Sequence, residues 1–195
     1  AAACAGQDHS RVTLVQALVD PGQDILSQSL VLAGFDELAQ LVYMQRQTDR
    51  SPRPLTLPPG IETVTYSPDR VDLFKRCILA SYEHTQDCPG LLGMRDIEDI
   101  IAGHRATGIF VPQMWLALHQ QESPVGVMLL NLVPQRDAAE VVYLGLAAGW
   151  RGRQLGRTLL EYGLGVARRH GASQMILAVD QANEPAMKLY RSMQF

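Results

Sequence analysis

Arg151-Gly152-Arg153-Gln154-Leu155-Gly156 has the residue types and spacing to hold an anion. Before it, Glu140–Leu146 is a short apolar, β-branched run that reads as a strand, and Ala147–Trp150 breaks it. After it, Leu155, Leu159, Leu160 and Leu164 recur at helical spacing. Gly171 closes that helix, with Arg168, Arg169 and His170 in the last turn, where the helix dipole favours cations. A strand, a basic glycine-containing turn and a helix N-terminus aim free backbone N–H groups and the positive end of a dipole at one point. The expected ligand is a phosphate or pyrophosphate; the alternative is an ordinary strand-to-helix turn. GxxxxGK[ST] is absent, which excludes a nucleoside-triphosphate loop, and G-x-G-x-x-G after a strand is absent too, which excludes the dinucleotide fingerprint.

The elements that must position this turn continue to the last residue. Ser173–Asp180 reads as a buried strand, and Gln181–Phe195 as a turn and helix, with Pro185 suited to the first helical turn. The two stretches resemble motifs A and B of the GNAT superfamily of acyl-CoA-dependent N-acyltransferases. Motif A is [RQ]-x-x-G-x-[GA]: Arg151 matches its first position and Gly156 its last, while Gln154 stands where the family has its middle glycine. Motif B is N-x-x-A-x-x-L-Y-x-x-x-G-F: Asn183, Ala186, Leu189, Tyr190 and Phe195 match, and Gln194 replaces the glycine. Order and spacing are those of the family, and the resemblance extends over roughly the last two-thirds of the chain.

The resemblance implies an α/β fold, with a mixed, mostly antiparallel central sheet flanked by helices. It implies acetyl-CoA as co-substrate and an amine acceptor, a small molecule or a peptide N-terminus. Backbone N–H groups of Arg151, Gly152, Arg153, Gln154, Leu155 and Gly156, with Arg157 beside them, would hold the pyrophosphate. The strand ending at Leu144, Gly145 and Leu146 would splay from its neighbour, bind the pantetheine arm and polarise the thioester carbonyl. Asn183 would hydrogen-bond that arm, and Tyr190, a phenol of reference pKa about 10, would protonate the departing sulfur. Acetyl transfer also needs a neutral amine. Glu140 heads the candidates for its base, with Tyr143, His119 and Glu83 behind it; a water relay would need no residue. Strand alternation puts Glu140 and Tyr143 on opposite faces or ends. With no Ser-His-Asp pattern, direct transfer in a ternary complex is expected. The second hypothesis is a non-catalytic acyl-CoA-binding or regulatory module, suggested by Gln154 and Gln194.

The rest of the chain supplies the frame. Its 195 residues, 47% hydrophobic and 19% charged, suit a globular protein with ample core. A net charge of −3 gives no whole-protein attraction to nucleic acid or to an anionic membrane. Cys4, Cys77 and Cys88 form neither a disulfide scaffold nor a zinc pattern. There is no long apolar span and no signal peptide, so a cytoplasmic setting is expected. Ala1 rather than a methionine fits a fragment, a processed form or a renumbered chain.

Placing Phe35 over Phe195 lays VTLVQALVDPGQDILSQSLVLAGF over ASQMILAVDQANEPAMKLYRSMQF without a gap. A strand over Val12–Val19, a helix and then a further strand or strand pair are expected, as in the back half of a degenerate GNAT unit. The polar groups differ: Gln23 stands for Asn183 and Leu30 for Tyr190. The expected organisation is therefore a partial GNAT-like segment over 1–49, a Pro-rich linker over 50–60 and the acetyltransferase domain over 61–195. Its layout is similar to that of tandem, mycothiol synthase-like enzymes. A GNAT domain continues with strands after motif B, yet this chain stops at Phe195. Those strands are either missing or supplied by the N-terminal segment, within the chain or by a strand swap in a homodimer.

Within the main domain, Glu62–Tyr66 reads as the first strand and Pro68–Tyr82 as a helix with Ser67 as its cap. His84–Leu92 is a loop where Tyr82, Glu83, His84, Asp87 and Cys88 either line the acceptor pocket or serve as solvated turn formers. Asp96–Ala106 reads as a second helix, and Met114–His119 and Pro124–Leu132 as a hairpin in which Gly126 marks a bulge or close approach.

Overall fold

The structure, a computed structural model, describes residues 14–48 and 54–195. Cys4, the start of the expected first strand at Val12 and Thr13, and residues 49–53, where the linker begins, lie outside the described residues. In chain order the elements are α1 (Asp24–Leu32), β1 (Leu41–Gln47), β2 (Glu62–Thr65), α2 (Val71–Tyr82), α3 (Ile97–Ala106), β3 (Ile109–Gln120), β4 (Ser123–Val133), β5 (Ala138–Leu146), α4 (Leu155–Arg169), β6 (Gln174–Asp180) and α5 (Glu184–Ser192). Ser67 precedes the turn into α2 but its side chain makes no capping bond.

Among the described residues, six strands form one sheet in the order β1-β6-β5-β4-β3-β2. Every neighbouring pair is antiparallel except β5 and β6, which α4 connects as a parallel crossover. This is the mixed, mostly antiparallel sheet expected. α4 and α5 cover one face through Leu155, Leu159, Leu160, Leu164, Met187 and Tyr190. α2 and α3 cover the other through Phe74, Cys77, Ile78, Ile100 and Ile101, against Trp115 and Leu129. A fully buried leucine of this kind contributes about 1.5–3 kcal/mol. The buried amide of Asn131 is satisfied: Oδ1 accepts from Trp115 Nε1 at 2.7 Å and Nδ2 donates to the carbonyls of His104 and Thr107. Gly126 is a close approach, since a Cβ there would meet the Gly145 carbonyl oxygen at 2.9 Å.

The N-terminal segment departs from expectation at its start. Residues 14–19 form no strand. Their counterpart β6 is flanked by β5 and β1, whereas no described strand flanks this stretch, and an unpaired strand has little to hold it. Beyond it the correspondence is close. α1 and α5 occupy equivalent positions along their whole length. The Phe35 N–H donates to Leu30 O at 3.0 Å as the Phe195 N–H does to Tyr190 O at 3.1 Å. Gly34 and Gln194 both have positive φ. β1 then pairs antiparallel with the full length of β6, from Leu41↔Asp180 to Gln47↔Gln174, and so fills that sheet edge from within the same chain. The Pro-rich stretch is also anchored, with Leu55 and Leu57 packed against the α4-side core.

Candidate active site

Two irregularities in β5 create the site. The first is a register shift against β4 between Leu129 and Leu130, whose partners are Tyr143 and Val141, leaving Val142 as an extra residue. Ala139 and Val141 pack toward α4; Val142 and Tyr143 both pack toward α2; Leu144 and Leu146 return to the α4 side. Alternation back from Tyr143 is thereby offset by one, and Glu140 shares the α2 face with it. Of the expected opposite faces or ends, the opposite faces are corrected, because a bulge changes the parity of everything beyond it.

The second irregularity is the splay. β5 pairs with β6 only over Ala138–Val141 and Gln174–Leu177, while β6 continues alongside β1 to Asp180. From Val142 to Leu146 the β6-facing side of β5 has no strand partner among the described residues. A cleft of about 190 Å3 opens there, lined by Val141–Leu146, Ala178, Val179, Ser81, His84–Asp87, Arg151, Asn183 and Tyr190 among others.

At the outer end of β5, a single helical turn over Ala148–Trp150 leads into Gly152–Gln154 and α4. The Arg151 N–H is donated to Ala148 O at 3.3 Å. The run of N–H groups that donate to no described acceptor therefore starts at Gly152, one residue later than expected, and continues through Arg157. Gln154 caps the helix from the left-handed region at φ +65°, which explains why a glycine is usual there. Arg153 lies over the Trp150 ring at 4.7 Å, which keeps its charge at the turn. Arg157 points elsewhere, donating to Ser192 Oγ at 2.6 Å. A Cβ on Gly156 would sit 3.0 Å from Leu189, so this position also sets the approach of α4 to α5.

Asn183 caps α5, its Oδ1 accepting from the Ala186 N–H at 3.3 Å, and also lines the cleft. Tyr190, 7% exposed, is pressed to a high pKa by burial and next by the negative charge of Asp87, so it stays a protonated donor. Asp87 borders the same cleft. Loss of hydration raises its carboxyl above the usual range, and the Asp180 charge adds to this against bonds from the Asp180 backbone and the Asn183 side chain. Asp180 holds the loop in place: Oδ2 accepts from the Cys88 N–H at 3.2 Å and Oδ1 from Ala182 at 2.9 Å.

The structure thus brings Leu144, Gly145, Leu146, Arg151, Asn183 and Tyr190 together, and adds Asp87. Glu140 is not in the lining. It is half-buried, with its pKa raised by burial against the Arg136 charge. His119 is held at the β3–β4 hairpin against Gln121 O, and Glu83 is a surface partner of His84. Ser81 was not foreseen. Its hydroxyl lies 2.7 Å from that of Tyr143, and its side chain fills the space a Cβ on Gly145 would need. A polar residue one turn beyond Phe74, Cys77 and Ile78 on an apolar helix stripe was the available signal. Among the described residues no group of three or more His, Cys, Asp and Glu is arranged to hold a metal ion, and no helix is long and apolar enough to cross a membrane.

Comparison with known proteins agrees with this geometry. Residues 73–195 match the Acetyltransferase (GNAT) family, and the chain belongs to it. A mycothiol acetyltransferase of Thermobifida fusca is 32% identical over 95 residues, 49% of this chain and 27% of that protein. One of Thermomonospora curvata is 28% identical over 176 residues, 87% of this chain and 57% of that protein. The chain thus spans little more than half, or less, of these curated relatives. Among solved structures, a GCN5-related N-acetyltransferase from Sphaerobacter thermophilus superposes with a TM-score of 0.61 at 20% identity, over 86% of this chain and 51% of that one. The PaiA N-acetyltransferase of Thermoplasma acidophilum, solved with coenzyme A, gives 0.51 at 15% identity over 68% and 87%. At these identities both show the fold.

Proposed function

We propose that this chain moves the acetyl group of acetyl-CoA directly to a primary amine, and that the amine belongs to a small thiol-bearing acceptor of the mycothiol type. The carrying observation is the parting of β5 from β6 beside a turn of free N–H groups. Gly152–Arg157 suits a pyrophosphate at a helix N-terminus. The unpaired edge of β5 over Val142–Leu146 suits the amides of a pantetheine arm and a thioester carbonyl. The acceptor class comes from the names of the relatives, and the solved CoA complex supports the co-substrate.

Asp87 accepts the proton of the incoming ammonium. The neutral amine attacks the thioester carbonyl carbon, the C–N bond forms and the C–S bond breaks. The sulfur leaves with the proton of the Tyr190 hydroxyl; the second amine proton passes through solvent back to the Tyr190 oxygen, and Asp87 releases its proton to solvent. Residues 14–35 serve as a degenerate repeat of the end of the domain, having kept the helix and its turns but not the residues that face cofactor.

Calorimetry with CoA tests the reading. The intact chain should bind CoA, and Gly156→Glu should abolish binding by placing bulk and negative charge at the turn. A folded wild-type protein that binds no CoA would overturn it. The binding-module alternative requires CoA binding without release of free thiol from acetyl-CoA across a panel of thiol-bearing amines.

A further inference from the structure

The side chain of Arg151 is turned away from the phosphate turn that it opens. All three of its bonds go to backbone carbonyls: Nε to Leu146 at 3.1 Å, Nη1 to His84 at 3.1 Å and Nη2 to Ser81 at 2.8 Å. These acceptors belong to three different parts of the site. Leu146 ends β5, the strand whose free edge faces the cleft. Ser81 lies in the last turn of α2, where carbonyls lack helical partners and a cation is favoured. His84 begins the loop that carries Asp87, and it sits in the left-handed region at φ +52°. The planar fork of a guanidinium suits three such acceptors at once; a lysine could not span them. The Arg151 backbone, meanwhile, is bonded into the turn that leads directly to the free N–H groups.

We propose that Arg151 is a positioning residue that couples the cofactor turn to the acceptor loop. Anion binding at Gly152–Arg157 fixes the Arg151 backbone, the guanidinium fixes Ser81 and His84, and Asp87 is thereby held at the cleft. Filling the cofactor site therefore orders the acceptor side before any acceptor arrives, and by reciprocity an acceptor tightens CoA by the same factor. The inference rests on the proposed CoA site.

Hydrogen exchange with CoA alone tests it. The quantity read is the ratio of exchange rates without and with saturating CoA for amides of residues 83–92. Looser packing common to both states leaves that ratio unchanged. In the wild type CoA should slow exchange there by a factor within the roughly 5- to 150-fold span of site-to-site couplings. In Arg151→Met, with CoA still bound, the ratio should fall to about one, and Arg151→Lys should fall between the two. CoA binding with no slowing in the wild type, or with equal slowing in Arg151→Met, overturns the coupling and leaves the proposed function standing. Failure of the wild type to bind CoA overturns both. If Arg151→Met does not fold, the Lys variant decides: slowing equal to wild type counts against the coupling, and reduced slowing supports it.

Discussion

Gln154 and Gln194 share a left-handed backbone conformation, φ +65° in each, at the two places where motifs A and B ordinarily have glycine. A side chain in that region costs about 1–2 kcal/mol, partly offset because glycine loses more entropy on folding. Gln194→Gly, at the end of α5 and away from the turn, should stabilise the protein by about 0.5–1 kcal/mol. Gln154→Gly should do the same and bind CoA at least as tightly, since the glutamine side chain then no longer borders the phosphate turn. Denaturant titration and calorimetry measure both. A loss of stability in each variant would show that the glutamines are held by something other than strain.

Tyr190 lines the cleft and its hydroxyl stays protonated. Tyr190→Phe removes one hydroxyl and little packing. General acid catalysis is worth about 10²–10⁴-fold, so thiol release should fall within that range while CoA affinity holds. Equal turnover in the two forms would keep the enzyme and remove the acid. No alkaline fall in rate from this group is expected until well above the ordinary phenol pKa.

Asp87 and Glu140 compete for the role of base. Both are raised by burial, but only Asp87 lines the cleft. Asp87→Asn should lower kcat/KM by about 10²–10⁴-fold and erase the acid limb of the pH profile, because a protonated carboxyl cannot take the ammonium proton. Glu140→Gln should cost less than about tenfold, well under the usual worth of a general base. The reverse pattern would return the role to Glu140, which the bulge at Val142 has put on the same face as Tyr143.

His104 packs its ring 5.4 Å from that of Tyr143, and burial, with the charge of Arg95 second, lowers its pKa from 6.5 to about 4. The unfolded chain then binds more protons than the folded one between those values. Stability from this group is complete above pH 6.5 and is lost as pH falls toward 4. The loss reaches about 3 kcal/mol at most, at about 1.36 kcal/mol per pKa unit. Melting curves from pH 7 to pH 4.5 should show it, and His104→Gln should flatten that part of the profile. An unchanged slope in the variant would place the acid sensitivity elsewhere.

The sequence was most informative where a residue type answers to a local constraint. The basic turn, the leucine stripe of α4 and the Asn183–Phe195 pattern each reflect backbone geometry within a few residues, and each lies where it was expected. What it concealed depends on partners distant in the chain. Nothing in Val141-Val142-Tyr143 marks which residue is extra, because a bulge is a relation between β5 and β4. The strand expected over Val12–Val19 has the right composition and, over residues 14–19, no described neighbour to bond. Arg151 reads as a phosphate ligand by type, yet carbonyls of Ser81 in α2, His84 in the loop beyond it and Leu146 at the end of β5 take its side chain. Asp87 was one of several polar loop residues until Asp180 and Tyr190 were seen around it.

The pairing of β1 with β6 has a consequence for how the molecule comes into being. Leu41 meets Asp180 across most of the length of the chain, so this seam has a very high contact order. Closing so long a loop draws on entropy that only a nearly complete sheet returns. On the ribosome β1 must wait for its partner until β6 has emerged. Among the described strands the first in chain order thus completes its pairing only with the last, and the time β1 spends unpaired is an interval in which a nascent chain is exposed to aggregation.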